Sequence, residues 1–272
     1  MKLHPKVQVT VGTSGTGGGF KKFTVGETDV SDASRPIADT EIAACRENNI
    51  EYVELKVAID GLSVVVNPEN DWCDCLNVEQ LRELWKPGSS VNTWRDLNPD
   101  WPADEIKLFG PDTDSGTFDY FTEVIVGKTG ESRADYEPSV NDNVLVRGVA
   151  GERNALGYFG YAYYVENQDK LKVLGIAPTA DSACVKPGPA TIEAGEYVPL
   201  ARPLFLYVNR KALARPEVAE FLRYYLDEGQ ELVTERGYIK LSAPVLEEVH
   251  QTFESAVGDG SSSPTKAASS GG

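Results

Sequence analysis

The 272-residue chain is short of positive charge, of histidine and cysteine, and of long apolar runs. Its 26 Lys and Arg stand against 42 Asp and Glu, a formal net charge of -16. Phosphate backbones and anionic bilayers attract basic surfaces, so this deficit argues against nucleic acid or a membrane surface as partner. The richest apolar stretch, Leu62 to Val66, falls far below the ~20 residues a membrane helix needs. The two histidines, His4 and His250, sit near the chain ends, and Cys45, Cys73, Cys75 and Cys184 lack the spacing zinc sites use. No metal or other cofactor is expected. The four cysteines are compatible with two disulfides, Cys73 and Cys75 pairing across to Cys45 and Cys184, or with buried thiols.

Catalytic signatures are also missing. Gly15 and Gly17 open a dinucleotide fingerprint, but Phe20 stands where its last glycine belongs. Gly127-Lys-Thr129 resembles the end of a P-loop, yet Thr122 replaces the earlier glycine. Neither histidine has an evident Ser or Cys partner, and no Gly-x-Ser-x-Gly elbow occurs. An enzyme is therefore not expected. The start shows no signal-peptide apolar region, so the chain is either cytosolic or met without its beginning. Gly258 to Gly272 is rich in Gly, Ser and Ala and reads as a flexible tail.

What is present alternates β and α, the pattern of a wound sheet with helices on its faces. Strands are predicted at Val7–Val11, Tyr52–Val57, Leu62–Val66, Ile106–Phe109, Gly157–Tyr163, Leu171–Ile176 and Leu204–Val208. Asn77 with Gln80 announces one helix, and Pro216 another. A third starts near Ser115, carries Phe118, Phe121 and Ile125 inward and stops at Gly127. Three short segments, Gly12–Phe20, Asp32–Pro36 and Gly110–Phe118, put small residues and hydroxyls where a strand or loop hands over to a helix. Unpaired N–H groups and the positive end of the helix dipole make such places anion sites that need few formal charges. A receptor for a tetrahedral oxyanion follows.

Five segments carry a resemblance: Gly15–Phe23, Asp32–Ile37, Ala58–Leu62, Asp114–Phe118 and Gly157–Tyr164. Together, in order and spacing, they resemble the periplasmic phosphate-binding proteins of ABC-type phosphate importers, the PstS-type family, from about Val7 to Phe253. The resemblance implies an α/β, type II periplasmic-binding-protein fold, with two lobes joined by a hinge crossed twice. Residues 1–66 with 204–257 would form lobe I, 67–203 lobe II and 258–272 the tail, the crossings falling near Val66-Asn-Pro68 and Ala201–Leu204. It also implies a ligand held between the lobes, and a chain beginning where a member has completed its export signal, first strand and first helix.

Carried over by position, the phosphate-binding residues are Thr16, Ser34, Arg35, Asp114, Ser115, Gly116 and Thr117. Thr16 would offer hydroxyl and amide, or only cap its helix. Arg35 would fork onto two ligand oxygens beside Ser34, or lie on the surface. Ser115, Gly116 and Thr117 would donate at a helix start, with glycine permitting close approach. Asp114, or Asp112 in its place, would accept the proton that hydrogen phosphate carries and sulfate lacks, or orient Arg35, or merely cap the helix. The implied function is binding of inorganic phosphate and its delivery to the membrane permease of an ABC importer, by an extracytoplasmic monomer. Alternatives are a receptor for sulfate, molybdate or arsenate, a phosphate-dependent signalling or adhesion module, and a phosphomonoester-processing enzyme.

Overall fold

The computed structural model describes residues 7–12 and 14–261. In chain order these form α1 (Thr16–Phe23), β1 (Val30–Ala33), α2 (Asp39–Glu47), β2 (Tyr52–Val66), β3 (Cys75–Asn77), α3 (Val78–Trp85), α4 (Trp94–Leu97), β4 (Lys107–Pro111), α5 (Gly116–Phe121) and β5 (Glu137–Ser139). They continue with α6 (Asp142–Gly151), β6 (Ala155–Gly160), α7 (Tyr161–Glu166), β7 (Lys172–Val173), β8 (Gly175–Ala177), α8 (Pro189–Glu193), β9 (Ala201–Asn209), α9 (Pro216–Leu226), α10 (Gln230–Glu235) and α11 (Ala243–Ser261). The described helices include none long and apolar enough to cross a membrane.

The chain divides into two compact units. Unit 1 takes the residues up to Ala58, Pro203–Leu232 and those from Lys240 onward; unit 2 takes Ile59–Arg202 and Val233–Ile239. The chain passes from one unit to the other at Ala58–Ile59 and at Arg202–Pro203. The Val233–Ile239 excursion was not foreseen. Reciprocal backbone hydrogen bonds of 2.9 and 2.8 Å between Ile59 and Ile239 hold it to unit 2.

In unit 1, β1 pairs antiparallel with β9, Val30 opposite Val208 and Ala33 opposite Phe205. Its core gathers Phe20, Phe23, Ala33, Cys45, Phe205 and Tyr207. Helix α1 reaches β1 closely because Gly19 has no side chain: a Cβ there would lie 2.7 Å from Ser31 Oγ.

In unit 2, the later half of β2 pairs antiparallel with β6, and β6 and β5 flank β4 in parallel. Such parallel strands carry their helices on the sheet faces. Helix α6 lies against β4 where Gly148 leaves room, since a Cβ there would come within 2.4 Å of the Phe109 ring. Trp85 packs edge-on against Phe121, Tyr136 and Tyr158, and Phe121 stacks on Tyr158 with ring centroids 3.7 Å apart. The reciprocal capping box at Asn77 and Gln80, at 2.8 and 3.0 Å, starts α3 as its sequence predicts.

Several expectations are corrected. Val7–Val11 forms no strand, for alternation alone does not supply a ladder partner. The two predicted strands at 52–57 and 62–66 are one continuous β2. The Gly157 strand stops at Gly160, where the chain turns into α7. Leu171–Ile176 divides into β7, paired with β2, and β8, paired with β3. Cys75 bonds Cys184, leaving Cys45 and Cys73 as buried thiols, so the second bridge does not form. The predicted tail is helical as far as Ser261, its remainder lying outside the described residues.

Candidate anion-binding site

In unit 1 the relevant groups collect where α1 starts and β1 ends. Gly15 is the extended N-cap, and the first helical hydrogen bond runs from Gly19 N–H to Gly15 O at 3.0 Å. The amides of Thr16, Gly17 and Gly18 thus precede any intrahelical acceptor. Thr16 is the first helical residue rather than the cap. Its Oγ1 accepts the Ser34 N–H and lies against Ser34 Oγ, both at 3.2 Å, so the helix start and the end of β1 are tied together.

Arg35 follows directly. Its Nη1 donates to Pro36 O at 3.0 Å and to Glu41 Oε2 at 2.9 Å, and its Nη2 donates to Glu41 Oε1 at 2.8 Å. The guanidinium carbon lies 5.4 Å from the Phe20 ring centroid. A Cβ on Gly17 would lie 4.0 Å from Nη2, which sets the cation beside the first turn of α1. Glu41, unnoticed in the sequence reading, also accepts the Ala38 N–H at 2.8 Å. The hydrogen bond from Arg35 holds its carboxyl below the usual carboxylate range. The signal was present as an acid three residues into α2, but without Ser or Thr at the cap it is not conspicuous.

In unit 2 the groups follow β4. Pro111 is fixed by Tyr136, whose hydroxyl donates to Pro111 O at 2.9 Å. The chain then turns, Ser115 N–H donating to Asp112 O at 3.2 Å. Ser115 is the N-cap of α5, its Oγ accepting the Thr117 N–H at 3.2 Å. Capping falls to Ser115, not to Asp114, which is exposed. Helix α5 passes into a single π turn over Thr122–Val126, and Gly127 closes it at φ +92°, a left-handed conformation suited to glycine.

A second helix start adjoins this one through the sheet. Pro111 at the end of β4 is opposite Ser139 at the end of β5, and α6 begins three residues later with Asn141 as cap, its Oδ1 accepting the Asn143 N–H at 3.0 Å. Asp142 opens α6, and burial pushes its carboxyl up to about 6. Asn141 and Asp142 were not singled out from sequence, although Asn ahead of an apolar periodic run is a recognisable cap. The described residues include no cluster of three or more His, Cys, Asp or Glu able to hold a metal ion.

Two α/β units, each presenting hydroxyls and amides at a helix start, define a solute-binding scaffold of the periplasmic-binding-protein type. A PBP superfamily domain matches residues 1–228. Protein SphX of Synechocystis is 46% identical over 86% of this chain and 70% of its own length. The phosphate-binding protein PstS of Staphylococcus saprophyticus is 38% identical over 94% of this chain and 79% of its own. Among solved structures, a possible phosphate binding protein from Planctomyces limnophilus superposes with a TM-score of 0.89 at 50% identity, covering 94% of this chain and 90% of that one. The chain belongs to the PBP superfamily and, within it, to the PstS-type phosphate-binding proteins.

Proposed function

We propose that this chain binds inorganic phosphate and hands it to the membrane permease of an ABC-type importer, as an extracytoplasmic receptor that performs no chemistry. The observation that carries the reading is the α5 start: Ser115 caps the helix and the amides of Gly116 and Thr117 lie in its first turn. That segment sits in a chain 38% identical to a protein named for phosphate binding. Thr16, Ser34 and Arg35 of unit 1, and Asp114, Ser115, Gly116 and Thr117 of unit 2, are the phosphate ligands. Asp114 is the acceptor for the phosphate proton, and sulfate is rejected for want of one. The receptor works as a monomer, without cofactor, and at a net charge of -16 has no affinity for nucleic acid.

Isothermal titration calorimetry near pH 8 tests this. Phosphate should saturate one site, and sulfate should not compete. Ser115→Ala removes a donor to a charged oxygen, a loss of about 1.5–3 kcal/mol, or roughly tenfold to a hundredfold in affinity. Arg35→Ala should weaken binding far more than Arg223→Ala. A folded chain that gives no heat with phosphate refutes the reading, and turnover of a generic phosphomonoester revives the enzyme.

A further inference from the structure

The peptide between Pro36 and Ile37 is held at both of its polar ends. Its carbonyl accepts Arg35 Nη1 at 3.0 Å, and its N–H donates to the Tyr207 hydroxyl at 2.8 Å. A peptide is planar, so fixing the direction of the N–H fixes that of the carbonyl opposite. The hydroxyl in turn donates to Glu54 Oε2 at 2.7 Å, which leaves its lone pairs to face the Ile37 N–H. Donor follows donor from the guanidinium, through one peptide plane, to a phenol and on to a carboxylate. Glu41 holds the guanidinium itself, whereas Tyr207 holds the loop that carries it.

Tyr207 lies on β9, the strand between β1 and β2, opposite Ser31 of β1, and is fully buried. Its ring meets Phe20 of α1 edge-on with centroids 4.9 Å apart, and Tyr52 of β2 at 5.6 Å. Phe20 is also the ring that lies under the Arg35 guanidinium. One side chain thus supports Arg35 by two routes, its ring through Phe20 and its hydroxyl through the Pro36–Ile37 peptide. Burial first, and then the bond to Glu54, raise the phenol above the usual tyrosine range, so it keeps its proton at neutral pH.

We infer that Tyr207 is a positioning residue of the phosphate site: its hydroxyl, acting through the Pro36–Ile37 peptide, holds the Ser34–Arg35 loop in the conformation that receives the anion. It is not a ligand. The inference rests on the phosphate-binding reading and on Arg35 being part of the site. A loop set in place before the anion arrives avoids an ordering cost on binding. Where only a fraction of the chains holds the competent loop, the apparent affinity falls by that fraction. Without the hydroxyl, the Ile37 N–H loses its acceptor and Glu54 its donor, and nothing else in the side chain changes.

The test is calorimetric titration of the full chain with inorganic phosphate, for wild type, for Tyr207→Phe, and for Tyr207→Phe combined with Arg35→Ala or with Ser115→Ala, each beside its single parents. Phenylalanine keeps the ring against Phe20 and removes only the hydroxyl. Binding should weaken about threefold to tenfold in Tyr207→Phe, the worth of one hydrogen bond. The loss should vanish where Arg35 is already alanine and persist in full where Ser115 is, because only Arg35 shares the relay. A merely structural tyrosine would lower the unfolding midpoint and leave the affinity of the folded chain unchanged, which overturns the inference. An equal loss on both backgrounds overturns it too. If Tyr207→Phe does not fold, amide exchange of the native chain decides: the relay requires a protected Ile37 N–H that phosphate slows further, and exchange at the rate of a free loop overturns it. Wild-type chain that ignores phosphate refutes the reading beneath, whereas wild type that binds no better than Tyr207→Phe refutes only the role of Tyr207.

Discussion

Arg133→Lys should destabilise unit 2 by about 3 kcal/mol while keeping the formal charge. Arg133 is buried, and all five of its N–H donors are used. Nε and Nη2 fork onto Asp135 at 2.7 and 2.8 Å, Nη1 donates to Leu84 O at 3.0 Å and Val91 O at 2.8 Å, and Nη2 also reaches Asn92 Oδ1 at 3.3 Å. The Arg133 backbone N–H adds a bond to Trp85 O at 2.9 Å. One residue thus satisfies carbonyls at the end of α3 that have no helical partner. Only Leu84 O and Val91 O are buried among the five acceptors, and a lysine ammonium, with three donors at a single point and no planar fork, cannot reach both of them while staying on Asp135. Each orphaned buried acceptor costs about 1–3 kcal/mol.

The assay is urea unfolding followed by tryptophan fluorescence. All four tryptophans, Trp72, Trp85, Trp94 and Trp101, lie within Ile59–Arg202, so the signal reports on unit 2. The midpoint should fall with the slope unchanged, because the surface exposed on unfolding is the same. A loss under about 1 kcal/mol would refute the reasoning, by showing that water or a rearranged loop satisfies those carbonyls at little cost. The consequence for the site is indirect: Trp85 packs on Phe121, the last residue of α5, so loosening the end of α3 loosens the helix whose first turn carries Ser115.

Two further outcomes can be checked by the same unfolding assay. Cys184→Ser breaks a bridge spanning a sequence separation of 109 residues, which should cost about 2–4 kcal/mol and be reproduced by reducing the native chain; an unmoved midpoint would sink the estimate. Asp142→Asn should stabilise by about 1–2 kcal/mol at high pH, because burial raises the carboxyl from 3.8 to about 6 in the folded state and leaves an ionised group partly desolvated. A carboxyl raised on folding favours the folded state at low pH and loses that contribution as pH climbs through the folded value. The variant's advantage should therefore be full above about 6 and vanish below 3.8, and an advantage independent of pH would refute burial as its cause.

Helix starts were the most legible part of the sequence, because a cap is a local event. Asn77 with Gln80, Ser115, and Pro216 each open a helix where their side chains predict one. Gly127 closes the α5 segment through a φ that only glycine adopts readily. Strands were less legible, since a ladder needs a partner that local pattern does not name. Val7–Val11 has the alternation and no strand, while Leu171–Ile176 serves two different sheets. The candidate site shows the same division: Thr16, Ser34 and Ser115 could be picked out as small hydroxyl residues at helix or strand ends. Glu41 could not, because its meaning lies in the fork it makes with Arg35 and not in its spacing.

The glycine run at the start of α1 also gains a physical reason that composition conceals. Gly18 and Gly19 are not there for flexibility, since a Cβ on Gly18 would meet Ser14 Cβ at 2.8 Å and one on Gly19 would meet Ser31 Oγ at 2.7 Å. Gly19 lets the helix approach β1 until Thr16 Oγ1 reaches the Ser34 N–H, and Gly18 lets the preceding loop fold Ser14 back against the first turn. Glycine in a helix costs about 1 kcal/mol relative to alanine. Here that loss is offset by contact: with a side chain at Gly19 the first turn would stand away from β1, and the Thr16–Ser34 link would open. In a chain with a net charge of -16, an anion is served by amides and hydroxyls held close together more than by long-range attraction. Close approach of α1 to β1 is therefore the condition on which the unit 1 part of the proposed site depends.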